Sequence, residues 1–83
     1  MDKHYSMWAK TSCPFCKEAM EKLFDKKLSY TVHIMDDKLE QLEKMKKMFN
    51  HFTVPIIVVQ EREEEKLIGG YTDLVEWLKG DKK

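Results

Sequence analysis

Residues 5–24 read YSMWAKTSCPFCKEAMEKLF, and this stretch contains both cysteines of the chain. Tyr5–Ala9 is a partly apolar run that predicts a strand, and the polar residues after it mark the end of that strand. From Cys16 onward, apolar side chains recur at offsets of three, four, seven and eight, which predicts one face of a helix. Pro14 suits the first helical turn, where its missing N–H is no loss. The two thiols are therefore predicted to lie at a strand-to-helix junction.

The remaining sequence predicts five further elements from its apolar spacing and its turn residues. In chain order these are a strand over Leu28–Met35, a helix from a cap at Asp36 or Asp37 to about Asn50, a strand over Val54–Val59, a strand at Leu67 and Ile68, and a helix capped by Thr72 and ended at Gly80. The polar run Gln60–Lys66 is predicted as the turn between the last two strands. The order β-α-β-α-β-β-α, with a right-handed helical crossover between two parallel strands, is typical of an α/β thioredoxin-like fold, a four-stranded mixed sheet flanked by three helices.

Length and charge exclude several classes of function. The chain has 83 residues with 15 basic and 15 acidic side chains, so its formal net charge is zero, whereas a nucleic-acid partner needs a surplus of Lys and Arg on one face. We expect one monomeric domain over residues 1–83, with a frayed tail at 79–83. The longest apolar stretch, Val54–Val59, has six residues and is too short to cross a membrane. Residues 1–4 lead into a short mixed run rather than the apolar core of a signal peptide, so we expect a cytoplasmic protein.

The two cysteines form one local unit, Cys13-Pro14-Phe15-Cys16. A thiol is nucleophilic only as the thiolate, and the unpaired N–H groups and dipole at a helix start stabilise that anion. Cys13 lies at this position with Lys10 three residues before it, whereas Cys16 lies one turn further on, on the buried face. The pair favours Cys13 as attacking thiol and Cys16 as resolving thiol. Two alternatives stay open here: a pair of unreactive buried thiols, or half of a zinc site, which needs two further ligands although the three histidines show no paired spacing.

Two further segments each have a structural and a functional interpretation. Thr53-Val54-Pro55 places a proline at the start of a strand. A proline at this position ordinarily marks a turn or an edge strand. A cis bond before Pro55 would instead turn the Val54 backbone outward to pair with an extended peptide. Residues 69–73 read GGYTD and predict a tight strand-to-helix turn with Thr72 as cap. The same turn can provide an anion site at the helix start, able to hold a substrate carboxylate.

Three segments together resemble the signatures of the glutaredoxin family: residues 10–16, Thr53-Val54-Pro55, and residues 68–74, which read IGGYTDL. They occur in the family's order and at about its spacing, and the predicted element order agrees over nearly the whole chain. The resemblance implies glutathione as the reducing co-substrate and a cis bond before Pro55. We expect no tightly bound cofactor and no metal site.

The resemblance also implies particular contacts with glutathione. In the family, the lysine before the cysteines helps to hold the glycine carboxylate, the backbone of the Thr-Val-Pro segment pairs with the cysteine moiety, and the segment after the glycine pair holds the γ-glutamyl end. A polar or basic residue of the second helix also commonly contacts the glycine carboxylate, and Gln41 is the candidate for that contact. The implied glutathione-binding residues are Lys10, Phe15, Gln41, Thr53, Val54, Pro55, Gly70, Thr72 and Asp73.

Three features depart from the family's pattern. Phe15 replaces the tyrosine more often found between the cysteines, so a hydroxyl is lost while a flat apolar surface remains. The segment Gln60–Lys66 is longer than the usual hairpin turn, and we expect a solvated tip. The segment Phe49–Phe52 lacks the glycine often seen before the Thr-Val-Pro motif. We expect His51 in that segment to lie at the surface, or to tune the acidity of the thiols if it lies near them.

The predicted function is a glutathione-dependent dithiol thiol-disulfide oxidoreductase that reduces protein disulfides and glutathione mixed disulfides. Its expected partners are glutathione and disulfide-containing or glutathionylated proteins. One alternative is a redoxin that donates electrons to ribonucleotide reductase and is recharged by thioredoxin reductase; Lys10, Thr72 and Asp73 disfavour it, because such redoxins usually lack the glutathione contacts. A second alternative is a carrier of a glutathione-ligated iron–sulfur cluster, which Pro14 disfavours, since the cluster-carrying relatives mostly have glycine there.

Overall fold

One mixed sheet of four strands organises residues 3–80, the part of the chain that the computed structural model describes. The elements, in chain order, are β1 (Lys3–Ala9), α1 (Pro14–Asp25), β2 (Tyr30–Ile34), α2 (Leu39–Phe49), β3 (Ile56–Glu61), β4 (Glu64–Gly69) and α3 (Tyr71–Gly80). The strands lie in the order β2-β1-β3-β4, with β2 parallel to β1 and with β3 antiparallel to both β1 and β4. This architecture confirms the predicted thioredoxin-like fold and the predicted order of elements.

The two faces of the sheet bury separate apolar clusters, because side chains alternate along each strand. On one face Met7 of β1 shares a cluster with Leu23 of α1 and Leu74 of α3. On the other face Ile56 of β3 shares a cluster with Leu42 of α2. Each of these five side chains is at most 1 % exposed, and burying one stabilises the fold by roughly 1.5–3 kcal/mol. α1 and α3 therefore cover one face of the sheet, and α2 covers the other.

The start of α2 differs from the prediction. Neither Asp36 nor Asp37 caps the helix, since the residue before it is Lys38, which makes no side-chain capping hydrogen bond. The Asp36 carboxylate instead accepts hydrogen bonds from the backbone N–H (3.0 Å) and the hydroxyl of Thr11, in the loop before α1. The predicted end of the helix is confirmed, because Asn50 follows the last helical residue in the left-handed conformation, with φ 53°.

The β3–β4 hairpin is tighter than predicted. Arg62 and Glu63 alone form its turn, and Glu61 pairs directly with Glu64. The long polar turn predicted over Gln60–Lys66 is therefore wrong. Most of β4 is exposed at the edge of the sheet, and charged side chains are common on such edge strands. The polarity of this segment reflects the exposure of a strand rather than a loop.

The start of α3 also differs from the prediction. Its first residue is Tyr71, so Thr72 lies within the first turn and is not the cap. The residue before the helix is Gly70, whose carbonyl oxygen accepts the Leu74 N–H at 2.9 Å. This is the first hydrogen bond of the helix, so Gly70 rather than Thr72 occupies the capping position.

The C-terminal end of the described chain is helical. Lys79 and Gly80, the first two residues of the predicted frayed tail 79–83, are the last two residues of α3. Residues 81–83 of that tail, like residues 1–2, lie outside the described residues. Within residues 3–80, no helix has the length and apolar character that crossing a membrane requires.

Candidate active site

Cys13 occupies the capping position immediately before α1, with φ −100° and ψ 111°. Its sulfur accepts the Cys16 N–H at 3.3 Å, and its carbonyl oxygen accepts the N–H groups of Cys16 at 3.2 Å and Lys17 at 3.4 Å. Donors at a helix start favour a negative charge on the capping atom. The residue is half-buried, whereas Cys16 is buried. The strand-to-helix junction predicted for the thiols is confirmed.

Cys16 lies in a different environment, with only 4 % of its surface exposed. Burial raises the pKa of its thiol to about 12, and the neighbouring Cys13 sulfur adds to the rise. The Cys16 thiol is therefore protonated at neutral pH. Both cysteines are free thiols. Cys13 is the more exposed of the two and lies at the helix start, as an attacking thiol requires. Cys16 is buried and protonated, as suits a resolving thiol.

The turn before β3 contacts the start of α1. The Val54–Pro55 peptide bond is cis, as predicted. The Cys13 thiol donates a hydrogen bond to the Val54 carbonyl oxygen, with 3.7 Å between sulfur and oxygen. The backbone of Val54 thus lies beside the more accessible of the two thiols.

A cleft of about 320 Å³ opens beside Val54, and we name it the substrate cleft. The starts of α1, β3 and α3 supply its walls, which consist of Phe15, His51, Thr53, Val54, Pro55, Gly70, Tyr71, Thr72 and Asp73. All of these except His51 and Tyr71 are residues predicted to bind glutathione. The rings of Phe15 and Tyr71 stack with their centroids 5.8 Å apart, so a flat apolar surface forms part of the cleft.

The other two predicted binding residues lie elsewhere. Lys10 lines a second groove of about 230 Å³, which runs between α1 and β2 and reaches both thiols; we name it the thiol groove. Gln41 lies on α2, where it lines a third groove beside Trp8 and Lys44. The structure therefore places Lys10 beside Cys13 and does not bring Gln41 to the substrate cleft or to the thiol groove.

Gly69 allows the Asp73 carboxylate to fold back over the turn before α3. The carboxylate oxygen Oδ2 of Asp73 accepts the Gly70 N–H at 3.0 Å. Gly69 has φ +121°, and a Cβ atom at that position would lie against Oδ2 and 2.8 Å from Cγ of Asp73. A side chain at residue 69 is therefore incompatible with the present position of the carboxylate. At Gly70 an added Cβ would meet its nearest atom, Nε2 of His51, at 3.6 Å, an ordinary contact.

Three residues near the site were not assigned to it from the sequence. His51 is half-buried rather than at the surface, and its Nε2 atom lies 3.3 Å from the Thr53 hydroxyl. Tyr71 lies within the quoted GGYTD segment, and an aromatic residue in a substrate-binding turn is a signal that could have identified it. No local signal indicated that Asp36 lies near the site, because its partner Thr11 lies 25 residues away in the sequence.

A thiol pair at the start of a helix, in a thioredoxin-like fold and beside a cis-proline, defines a thiol-disulfide oxidoreductase. Within residues 3–80, no group of three or more His, Cys, Asp or Glu side chains is placed to hold a metal ion. The family model for glutaredoxin matches residues 5–63, and the chain belongs to the glutaredoxin family. Glutaredoxins use glutathione as co-substrate and act on disulfides.

Solved structures of glutaredoxins share this fold. A wheat glutaredoxin superposes with a TM-score of 0.80 at 22 % identity, over 94 % of this chain and 71 % of the wheat chain. Glutaredoxin 1 from Francisella tularensis, in complex with cacodylate, superposes with a TM-score of 0.73 at 20 % identity, over 94 % of each chain. A dithiolic glutaredoxin from Trypanosoma brucei brucei gives 0.72 at 28 % identity, over 94 % of this chain and 79 % of that one. No curated protein sequence matches the chain significantly.

Proposed function

We propose that this chain reduces glutathione mixed disulfides and protein disulfides, with glutathione as the reductant, Cys13 as nucleophile and Cys16 as resolving thiol. The observation that carries the proposal is the position of the Cys13 sulfur, which caps α1 and contacts the carbonyl oxygen of Val54, a residue that lines the substrate cleft. A nucleophile at this place can attack a disulfide held in that cleft.

The chemistry of the substrate cleft suits a tripeptide with two carboxylates and one ammonium group. The start of α3 favours an anion, and it is available to the γ-glutamyl carboxylate next to Thr72. The Asp73 carboxylate suits the ammonium group of the same moiety. The Val54 backbone can pair with the cysteine moiety, and the stacked Phe15 and Tyr71 rings offer apolar contact. Lys10, in the adjoining thiol groove, can pair with the glycine carboxylate.

The first reaction is a thiol-disulfide exchange. The Cys13 thiolate attacks the glutathione sulfur of a glutathionylated protein, a Cys13–glutathione disulfide forms, and the protein cysteine leaves with the electron pair and takes up a proton. A second glutathione thiolate then attacks the glutathione sulfur of the mixed disulfide. Oxidised glutathione is released and Cys13 returns as the thiolate, so each turnover converts one mixed disulfide and one reduced glutathione into one protein thiol and one oxidised glutathione.

A protein disulfide requires Cys16. After Cys13 has formed a mixed disulfide with the substrate, the Cys16 thiol attacks the Cys13 sulfur and gives up its proton as the substrate thiolate leaves and is protonated. Burial holds the pKa of Cys16 at about 12, so this thiol does not compete with Cys13 for the first attack. Two glutathione molecules then reduce the Cys13–Cys16 disulfide.

The test is a coupled assay with glutathione, glutathione reductase and NADPH, in which the substrate is the mixed disulfide of cysteamine and glutathione. We expect turnover that requires glutathione and is not restored by thioredoxin reductase in its place. Asp73→Ala should raise KM for the mixed disulfide about tenfold, since it removes a charge-assisted contact. The control is Glu76→Ala, further along the same helix, where an exposed pair with Lys79 (3.9 Å) is lost instead.

Two results would contradict the proposal. Turnover with thioredoxin reductase but not with glutathione would favour the redoxin alternative. A cluster-type absorbance band in protein purified without oxygen, together with no turnover of the mixed disulfide, would favour the iron–sulfur carrier.

A further inference from the structure

His51 is a half-buried residue of the substrate cleft to which the proposed reaction gives no role. Its backbone is held by the end of α2, where Asn50 adopts the left-handed conformation and the His51 N–H donates to the Lys46 carbonyl oxygen at 2.9 Å. These two features together close the C-terminal end of a helix. The side chain of His51 takes no part in this closure, so a substitution of that side chain leaves the backbone anchored.

The imidazole of His51 lies against the turn before α3. A Cβ atom built at Gly70 would lie 3.6 Å from Nε2 and 3.8 Å from Cε1 of His51, so this edge of the ring faces Gly70. The hydroxyl of Thr53 lies 3.3 Å from the same Nε2 atom, which is longer than the usual hydrogen bond between nitrogen and oxygen. The contact with Thr53 is therefore weak, and Nε2 can exchange it for a stronger partner in the cleft.

Asp73 and His51 lie on different sides of Gly70. The Asp73 carboxylate accepts the Gly70 N–H at 3.0 Å, whereas His51 faces the side of Gly70 on which a Cβ atom would stand. Among the described residues that line the cleft, Asp73 carries the only carboxylate and His51 the only basic group. An acidic and a basic group placed around one residue are complementary to a ligand that carries an ammonium group and a carboxylate on the same carbon atom.

We propose that His51 is a specificity-determining residue, whose Nε2–H binds the α-carboxylate of the γ-glutamyl moiety while Asp73 binds the α-ammonium group. This inference rests on the proposed function and adds a residue to it. The Nε2 atom donates a hydrogen bond in one neutral tautomer and in the protonated form of the ring, and the bond to a carboxylate is stronger when the donor is charged. The start of α3 favours the same carboxylate, so donors from two elements act on one anion.

The test combines substitutions in the protein with deletions in the substrate, so that each contact is measured against its own partner. The substrates are the cysteamine mixed disulfides of three peptides. The first peptide is glutathione, the second is γ-aminobutyryl-Cys-Gly, which lacks the α-carboxylate, and the third is glutaryl-Cys-Gly, which lacks the ammonium group. All three keep the cysteine and glycine moieties, so the contacts of these moieties cancel in the comparison.

We expect His51→Ala to lower kcat/KM about five- to tenfold for the glutathione substrate and by less than about twofold for the γ-aminobutyryl substrate. Asp73→Ala should show the complementary pattern, with its effect lost on the glutaryl substrate. The control is His33→Ala, which removes an exposed imidazole that stacks on Trp8 outside the cleft. This control should leave kcat/KM unchanged for all three substrates.

Two kinetic results would overturn the inference and leave the glutathione reaction standing. An equal loss of kcat/KM in His51→Ala for the glutathione and the γ-aminobutyryl substrates would show that the side chain shapes the cleft and does not bind the carboxylate. No loss for the glutathione substrate would show that His51 makes no contact that favours the reaction.

Failure of the proposed function gives a different result, because the wild-type protein then turns over none of the three substrates. In that case an NMR titration decides the inference, with the ring protons of His51 as the probe and S-methylglutathione, which has no free thiol, as the ligand. Shifts that are absent with the S-methyl γ-aminobutyryl peptide support the contact with the carboxylate. Equal shifts with both peptides, or no shift with either, overturn it.

Discussion

Gly69→Ala and Gly70→Ala alter adjacent glycines, and they should affect the protein very differently. At Gly69 an alanine must adopt φ +121°, a region that costs a residue with a side chain about 1–3 kcal/mol. Its Cβ atom would also lie 2.8 Å from Cγ of Asp73, whereas ordinary contacts begin at 3.4 Å. At Gly70 the nearest atom to a new Cβ is 3.6 Å away and φ lies outside the left-handed region, so the second substitution serves as the matched control.

Gly69→Ala lowers the free energy of unfolding in two ways, through the displaced Asp73 carboxylate and through backbone strain. To relieve the contact, the Asp73 carboxylate must move by roughly 0.6 Å or more. This movement breaks the 3.0 Å hydrogen bond that the carboxylate accepts from the Gly70 N–H. Such a charge-assisted hydrogen bond contributes about 1.5–3 kcal/mol when it is partly shielded from solvent. Adding backbone strain and allowing for the exposure of Asp73, we expect Gly69→Ala to lower the free energy of unfolding by about 2–4 kcal/mol. For a domain of this size the midpoint temperature should fall by roughly 10–25 °C.

Urea unfolding followed by circular dichroism measures this difference directly. The mechanism also predicts coupling: in an Asp73→Ala background, where the carboxylate is absent, Gly69→Ala should cost about 1–2 kcal/mol less than in the wild type. In the coupled assay, Gly69→Ala should raise KM for the mixed disulfide as Asp73→Ala does. If Gly69→Ala destabilises no more than Gly70→Ala, or if its cost is the same with and without Asp73, the reasoning about this turn is wrong.

Three other substitutions test the thiols and the loop before them. Cys13→Ser should abolish turnover of every disulfide, whereas Cys16→Ser should keep turnover of glutathione mixed disulfides, because glutathione resolves that intermediate; equal loss in both would contradict the assigned roles. Burial is the largest cause of the raised pKa of Cys16, and it persists in the Cys13→Ser protein. There we expect iodoacetamide at pH 8 to alkylate Cys16 at least about 100-fold more slowly than free cysteine, and rapid alkylation would refute its shielding. Hydrogen bonds from the side chain and backbone of Thr11 hold the pKa of Asp36 below its usual range. The stability that the ionised Asp36 gains from these hydrogen bonds is fully present above the usual carboxyl pKa, near 4. It is lost as the pH falls through the lowered pKa of Asp36. Asp36→Asn should therefore shrink the loss of stability between pH 7 and pH 3, measured by urea unfolding, and an unchanged loss would rule this out.

The fold could be predicted from the sequence because its main signals are periodic and local. The apolar face that begins at Cys16, the buried run of β3 and the glycine pair before α3 each specify one element through spacing or turn chemistry. The cis bond before Pro55 is different. From the residues alone a trans bond was the better expectation, and only the resemblance of three separate segments to one family predicted the bond that the structure has.

The errors share a physical cause, which is competition from partners distant in sequence. Asp36 lies where a helix cap is expected from the local sequence. Its carboxylate instead accepts hydrogen bonds from Thr11 in the loop before α1, and α2 starts without a side-chain cap. The charged run after β3 predicts a loop by composition. Its backbone nevertheless pairs across the hairpin, as Glu61 with Glu64 shows, because a strand at the sheet edge can keep charged side chains in solvent. Gln41 was chosen by helix membership alone, which does not fix the direction in which a side chain faces.

The substrate cleft and the thiol groove differ in how readily their residues can be recognised from the sequence. The walls of the substrate cleft come from turn residues at the starts of three elements, and such residues depart from regular patterns, so they stand out as motifs. The walls of the thiol groove come from the middle of β2 and α1, where Val32 and Met20 obey the same alternation and helical spacing as any core residue. They form a surface because no element within residues 3–80 lies beyond the edge strand β2, as the strand order β2-β1-β3-β4 shows. A groove of this kind can be recognised only when the order of the strands in the sheet is known.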